Sequence, residues 1–286
     1  VHRTLGQTNI NVFPIGLGAM PLSIQKRPDR EQAKAVLGTA LDAGVNFIDT
    51  ANAYCLDDGD IGHNERLIAD VLREKPLPCV IVATKGGCIR PGGRWGVDAR
   101  PERLRAACEM SLAALQAEAI DLYQLHAPDP QVPFADSVGE LARLREGGKV
   151  KHVGLSNVTE NELNRAQDIV PITSIQNRCN PFYKRDLNNG LIDYCAKQGV
   201  SYIAYSPLGG SRQYLSLQRI PLFQDIARQL ATSVFCVALS WLLHLGEHVL
   251  PIPGASRPGS ILDSVQASAL SLTPQAIEEL NQLPDF

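Results

Sequence analysis

The stretch Glu31 to Asp49, EQAKAVLGTALDAGVNFID, changes period part-way along. Ala33, Val36, Leu37, Ala40 and Leu41 recur at helical spacing across Glu31–Ala43, and Gly44 marks the stop. Val45–Asp49 then follows as a short apolar run that closes on a carboxylate. A helix feeding directly into a strand buried on both faces is half of a βαβ unit, and repetition of that unit builds a parallel sheet. The unit does repeat. Further strand-like runs stand at Pro14–Gly18, Cys79–Thr84, Ile120–His126, Val150–Leu155, Ile172–Gln176, Ser201–Tyr205 and Val249–Pro253. Between and after them, helical periods cover Glu65–Arg73, Pro101–Gln116, Phe134–Glu146, Thr159–Asp168, Leu187–Gln198, Leu222–Leu230, Phe235–Leu245 and Pro258–Ala269. Thr159 with Glu162 is a capping-box pattern. Eight strands in βα order predict an α/β fold, a closed (β/α)8 TIM barrel.

No linker cuts the chain, so 1–286 is expected to be a single domain. A doubly wound open sheet is the alternative, but it needs a glycine-rich first turn that opens a helix. Gly16-Leu17-Gly18-Ala19-Met20-Pro21 ends in proline, with Pro28 delaying the helix further.

Composition narrows the function classes. Of 286 residues 44% are hydrophobic and 20% charged, with net charge −3. That is too apolar for disorder and too balanced for a polybasic nucleic-acid binder. No apolar run approaches the ~20 residues of a membrane span; the longest, Val234–Leu245, contains Ser240 and His244. Residues 1–11 are polar and show no leader-like apolar core. The seven cysteines form no CxxC pair and are odd in number, which reads as reduced thiols, most of them packed as small apolar groups, in a cytoplasmic protein. His244 and His248 lack an evident third ligand, so no metal site is expected.

In a (β/α)8 barrel the chemistry sits at the carboxyl ends of the strands. Those ends hold Asp49 after strand 2, Lys85 after strand 3 and His126 after strand 4, with Tyr54 in the loop beyond Asp49. Each follows an apolar run, where a charge is costly without a partner. Singly they read as a cap, a strand end and a core histidine; together on adjacent strands they read as a site. Lys85 paired with Asp49 stays protonated, and its field is expected to lower Tyr54 from the ordinary phenol value near 10. The set delivers a proton to a carbonyl and requires a separate hydride or carbanion source.

These residues also carry a resemblance. Asp49-Thr50-Ala51-Asn52-Ala53-Tyr54, Ala83-Thr84-Lys85 and Asp121-Leu122-Tyr123-Gln124-Leu125-His126 resemble the catalytic tetrad motifs of the aldo-keto reductase family, in its short bacterial branch. Arg3-Thr4-Leu5-Gly6 resembles that family's N-terminal hairpin. Gly147–Val150 through Gly154–Asn157, and Tyr205-Ser206-Pro207-Leu208, resemble its fifth- and seventh-strand signatures. The resemblance implies an NADPH-dependent oxidoreductase reducing aldehydes or ketones. It makes Tyr54 the general acid, tuned by Lys85 and Asp49, with His126 orienting the carbonyl. It implies that Ser156, Asn157 and Gln176 hold the nicotinamide carboxamide and that Tyr205 stacks beneath the ring. Cofactor contacts are further implied for Gly18, Met20, Asp49, Ser206, Pro207, Leu208, Arg212, Gly254, Ser256 and Arg257, with Arg257 on the 2′-phosphate. Where longer members carry a second Arg and a Glu, this chain has Ser260, Asp263 and Ser264. Trp95, in the Gly/Arg/Pro-rich loop after strand 3, is implied to wall the substrate pocket beside Tyr54 and His126. The acidic loop Asp57, Asp58, Asp60 reads as solvated.

The implied partner is a small-molecule carbonyl substrate, with neither nucleic acid nor membrane, for a monomer or weak homo-oligomer. Two other classes stay open: a cofactor-binding regulatory subunit, and a Schiff-base lyase with Lys85 as nucleophile. The Asp49 pairing speaks against the lyase, since a nucleophilic lysine must be neutral.

Overall fold

A computed structural model describes residues 2–284, apart from the Arg212 side chain. Eight parallel strands form one sheet: β1 Leu17–Gly18, β2 Phe47–Asp49, β3 Ile81–Gly86, β4 Ile120–Leu125, β5 Val150–Ser156, β6 Ile172–Arg178, β7 Ser201–Tyr205 and β8 Val249–Ile252. Each pairs with its sequence neighbour, the order expected when every connection is a right-handed βα crossover. The first and last strands then meet. Gly16 N donates to Pro251 O at 2.9 Å, Gly18 N donates to Pro253 O at 3.0 Å, and Gly18 bridges Gly254. The seam needs a glycine, because a Cβ on Gly18 would lie 2.8 Å from the Ile252 carbonyl oxygen.

Alternation along the strands sorts the core into two layers. Phe47, Ile81, Ala83, Leu122, Ile203, Leu250 and Ile252 cluster inside the barrel. Leu5 and Val12 join them from the antiparallel hairpin Arg3–Thr4/Asn11–Val12, which plugs the amino-terminal end. Outward-facing residues such as Ile48 and Val82 meet the helices instead. The helix Arg30–Asp42 buries Val36, Leu37, Ala40 and Leu41 against them. Each large side chain so buried contributes about 1.5–3 kcal/mol. Asp29 caps that helix, accepting from Gln32 N at 2.8 Å.

The apolar run Val234–Leu245 forms the helix Val234–His244, buried continuously from Cys236 to Leu243. Among the described residues no single helix is long and apolar enough to cross a membrane. The one helix pair of sufficient length, Pro221–Gln229 with Val234–His244, is bent by 93°.

Several sequence expectations need correction. The stretch Leu187–Gln198 is two helices, Arg185–Asn188 and Leu191–Gln198, broken at Gly190 with φ +80°. Cys79 is exposed in a left-handed turn (φ +64°) ahead of β3 rather than packed within the strand. The strand itself runs on through Lys85 to Gly86. The loop after β3 contains a small hairpin, Cys88–Ile89 against Gly96–Val97. The acidic loop is bonded rather than merely solvated. Asp60 pairs with Arg27 at 2.5 Å, Asp57 accepts from Gly59 N, and Asp58 accepts from Gly92 N. A final helix, Pro274–Gln282, lies beyond the last expected one.

Candidate active site

The strand period that fills the barrel with apolar residues also builds the polar layer above them. Asp49 stands two residues after Phe47, Lys85 two after Ala83, and Gln124 two after Leu122, so all three share the inward face at its carboxyl end. Gln176 on β6 joins them. Lys85, fully buried, spends all three ammonium hydrogens: on Asp49 Oδ2 at 2.7 Å, on Thr50 O at 2.8 Å and on Tyr54 Oη at 3.1 Å. Asp49 Oδ1 accepts from Gln176 Nε2 at 2.7 Å and from Gln124 Nε2 at 3.5 Å. Gly154 makes room for this arrangement, since a Cβ there would meet Gln124 Cγ at 2.9 Å.

Tyr54 is 6% exposed. Burial first, and the Asp49 carboxylate second, push its hydroxyl well above the ordinary value of 10.0. The sequence expectation had the opposite sign. The reason is desolvation of the buried ring, with the Asp49 carboxylate, 2.7 Å from Lys85, acting in the same direction. Burial likewise lowers Lys85 from 10.5, opposed by Asp49. His126, half-buried at the end of β4, is held well below 6.5 by desolvation and then by the Lys85 charge. It is neutral near pH 7, and its Nδ1 is sealed from solvent with no hydrogen-bond partner among the described residues. Trp95, from the hairpin after β3, meets both rings edge-on, with centroids 6.3 Å from Tyr54 and 6.3 Å from His126.

On the next strands Asn157 and Ser206 follow β5 and β7 with φ of +60° and +47°. Non-glycine residues adopt this region sparingly, and such outliers gather at functional sites. Asn157 Nδ2 donates to His126 O at 2.9 Å and to Ser156 Oγ at 3.1 Å, while Tyr205 Oη donates to Asn157 Oδ1 at 2.8 Å. Ser156 Oγ donates to Gln176 O at 2.8 Å. These side chains therefore run as one bonded band from β4 to β7.

Gly18 and Gly254 lie at the barrel seam, and Met20 opens a short 3-10 turn just beyond. Pro207 is buried and Leu208 half-buried behind Ser206. Ser256 and Arg257 are exposed before the helix Pro258–Gln266, which has no side-chain N-cap. Ser256 O accepts from Gln32 Nε2 at 2.6 Å. Asp263 is turned to Ser233 Oγ at 2.7 Å. The Arg212 side chain lies outside the described residues. His244 and His248 bond separately to Ser240 O and Ile192 O, and the described residues contain no group of three metal-ligating side chains.

Sequence reasoning left Gln124 and Arg90 without a role. Gln124 was within reach of the period-two signal that places Asp49 and Lys85. Arg90 was not, because its contacts come from three separate loops.

An eight-stranded parallel barrel with an Asp–Lys–Tyr–His cluster on its carboxyl rim defines a class of oxidoreductase. The Aldo/keto reductase family model matches residues 14–285, and the chain belongs to that family. An uncharacterized oxidoreductase of Schizosaccharomyces pombe is 32% identical over 94% of this chain and 85% of its own. A probable aldo-keto reductase of Glycine max is 31% identical over 96% and 86%. Among solved structures, a thermostable aldo-keto reductase in complex with the inhibitor epalrestat superposes with TM-score 0.86 at 26% identity, covering 99% of this chain and all of the other. The glycerol dehydrogenase of Gluconobacter oxydans superposes with TM-score 0.87 at 25% identity, over 99% and 94%. Family membership supports carbonyl reduction of small molecules with a nicotinamide cofactor in general.

Proposed function

We propose that the protein is an NADPH-dependent reductase of aldehydes or ketones in which Tyr54 is the general acid. The observation that carries this reading is the direction of one hydrogen bond. Lys85 donates to Tyr54 Oη, so the phenolic hydrogen is not needed by Lys85 and is free for a substrate oxygen. A phenol that holds its proton until alkoxide charge develops is a selective acid, and Lys85 then stabilises the tyrosinate left behind. Neutral His126 donates a hydrogen bond that orients the carbonyl. The same three bonds at Lys85 disfavour a Schiff-base role, which needs a free amine.

The residues fit a nicotinamide dinucleotide. When bound, that cofactor supplies a hydride to the carbonyl carbon. Ser156, Asn157 and the Oε1 of Gln176 would hold its carboxamide, and Tyr205 would lie beneath the ring. Gly18, Met20, Ser206, Pro207, Leu208, Gly254 and Ser256 would contact the rest of the dinucleotide. Arg257 stands exposed at an uncapped nine-residue helix, a combination that favours a phosphate monoester. We place the enzyme, one barrel along the whole chain, in the cytoplasm, where thiols stay reduced, as a monomer or weak homo-oligomer.

The test is NADPH oxidation across aldehydes, ketones, quinones, sugars and pyridoxal, with NADH in parallel. The likeness to a glycerol dehydrogenase supports adding polyols in the oxidative direction. NADPH is expected to be preferred, and Arg257→Met is expected to raise its KM about tenfold or more while sparing NADH. Equal use of both cofactors by the unaltered enzyme contradicts the role given to Arg257.

A further inference from the structure

We infer that Arg90 is a positioning residue that sets the substrate-pocket wall by holding Trp95 over Tyr54 and His126. Arg90 is a guanidinium at 2% exposure with no carboxylate partner among the described residues. A cation buried in this way is costly unless something replaces its hydration. The replacement here is an indole face: the Arg90 Cζ lies 4.3 Å from the Trp95 ring centroid. Its Nε is buried with no hydrogen-bond partner among the described residues. Nη2 reaches Gln25 Oε1 at 3.0 Å and Leu56 O at 3.3 Å, in the loops after β1 and β2. One side chain thus ties three loops at the barrel mouth to one ring.

Trp95 needs such an anchor. It is 50% exposed, and it sits among Gly92 (φ +53°), Gly93 (φ +77°) and Gly96, in backbone that loses much freedom on ordering. Its ring meets Tyr54 and His126 edge-on, each at 6.3 Å. Arg90 supplies a contact over the ring itself, at 4.3 Å from its centroid. A planar guanidinium stacks where an ammonium does not, so Arg90→Lys is not a conservative change here.

The inference rests on the proposed reductase reading for its kinetic arm, whereas its optical arm stands alone. Trp95 and Trp241 are the two tryptophans in the chain, so Trp241→Phe leaves Trp95 as sole reporter. In that background Arg90→Met is expected to red-shift the emission and roughly double acrylamide quenching, with Arg90→Lys giving a partial change. Kinetically, Arg90→Met should raise carbonyl KM about tenfold, in the range of a lost cation–π contact, with kcat within about twofold. Trp95→Leu should remove most of that Arg90 effect, because both act through one wall. Unchanged Trp95 emission in Arg90→Met overturns the inference, as does an equally large KM effect in the Trp95→Leu background. If Arg90→Met does not fold, the same two readings are taken on Arg90→Lys and decide in the same way. Absence of any carbonyl turnover in the unaltered enzyme overturns the reductase reading, with the emission shift still testing Arg90.

Discussion

At Tyr54 the Lys85 ammonium favours tyrosinate, while burial and the Asp49 carboxylate favour the phenol. The phenol wins because burial, first, and the Asp49 carboxylate, second, raise Tyr54 well above 10.0. Asp49 and Lys85 are legible in sequence as charges that close apolar strand runs, and Tyr54 by its place in the loop just beyond Asp49. The sign of the Tyr54 shift is not, because it depends on how completely loops from elsewhere cover the ring. A pH dependence follows. Tyr54 keeps its proton beyond 10.0 and His126 gains one only well below 6.5, so neither sets the profile between them. Reduction should be flat from about pH 7 upward until Lys85, lowered from 10.5, starts to lose its proton, and then fall. Steady-state kcat across this range checks it, and an acid limb near the ordinary histidine value contradicts it. Lys85→Met strands a buried carboxylate, so unfolding free energy should drop by about 3–5 kcal/mol in denaturant titrations.

The elements were the most legible level where a cap or a period marked them. The Thr159 and Glu162 capping box forms as read, with the Thr159 side chain and the Glu162 carboxylate exchanging backbone bonds. Thr159→Ala should cost about 1 kcal/mol, visible as a fall of about 2–4 °C in Tm. At the seam, Gly18→Ala places a methyl against the Ile252 carbonyl, which is backbone and has nowhere to move. A larger loss of Tm than for Thr159→Ala is expected there. The elements missed are instructive. The hairpin at Cys88–Ile89 and Gly96–Val97 has strands of two residues, too short for any period to register. The break at Gly190 was announced by Asn188-Asn189-Gly190, a turn signal overridden by the apolar spacing on either side. Pro274–Gln282 had its start signal in Thr273, which accepts from Ala276 N, followed by proline in the first turn.

Across the whole molecule, one feature of the barrel links structure to solution behaviour. His63, His126, His152 and His248 are all held below the ordinary 6.5, with burial the leading cause for each. The unfolded chain therefore binds more protons than the folded one below about pH 6.5, and stability rises with pH through that window. Thermal melts at pH 5.5 should fall below those at pH 7.5, and equal or higher melting at the lower pH contradicts the burial assigned to these rings. The alternation of helix and strand made the barrel legible from the first repeated unit, and its closure follows from eight such units. The mouth was less legible, because Arg90, Trp95, Asp58 and Gln25 meet there from three loops. What the barrel holds at that mouth is the central claim, and Tyr54→Phe tests it most directly. With a substrate that the unaltered enzyme reduces well, the variant should lose turnover by about a hundredfold or more, while NADPH binding, read by fluorescence, stays within about twofold. Turnover at the unaltered rate would show that the proton comes from elsewhere.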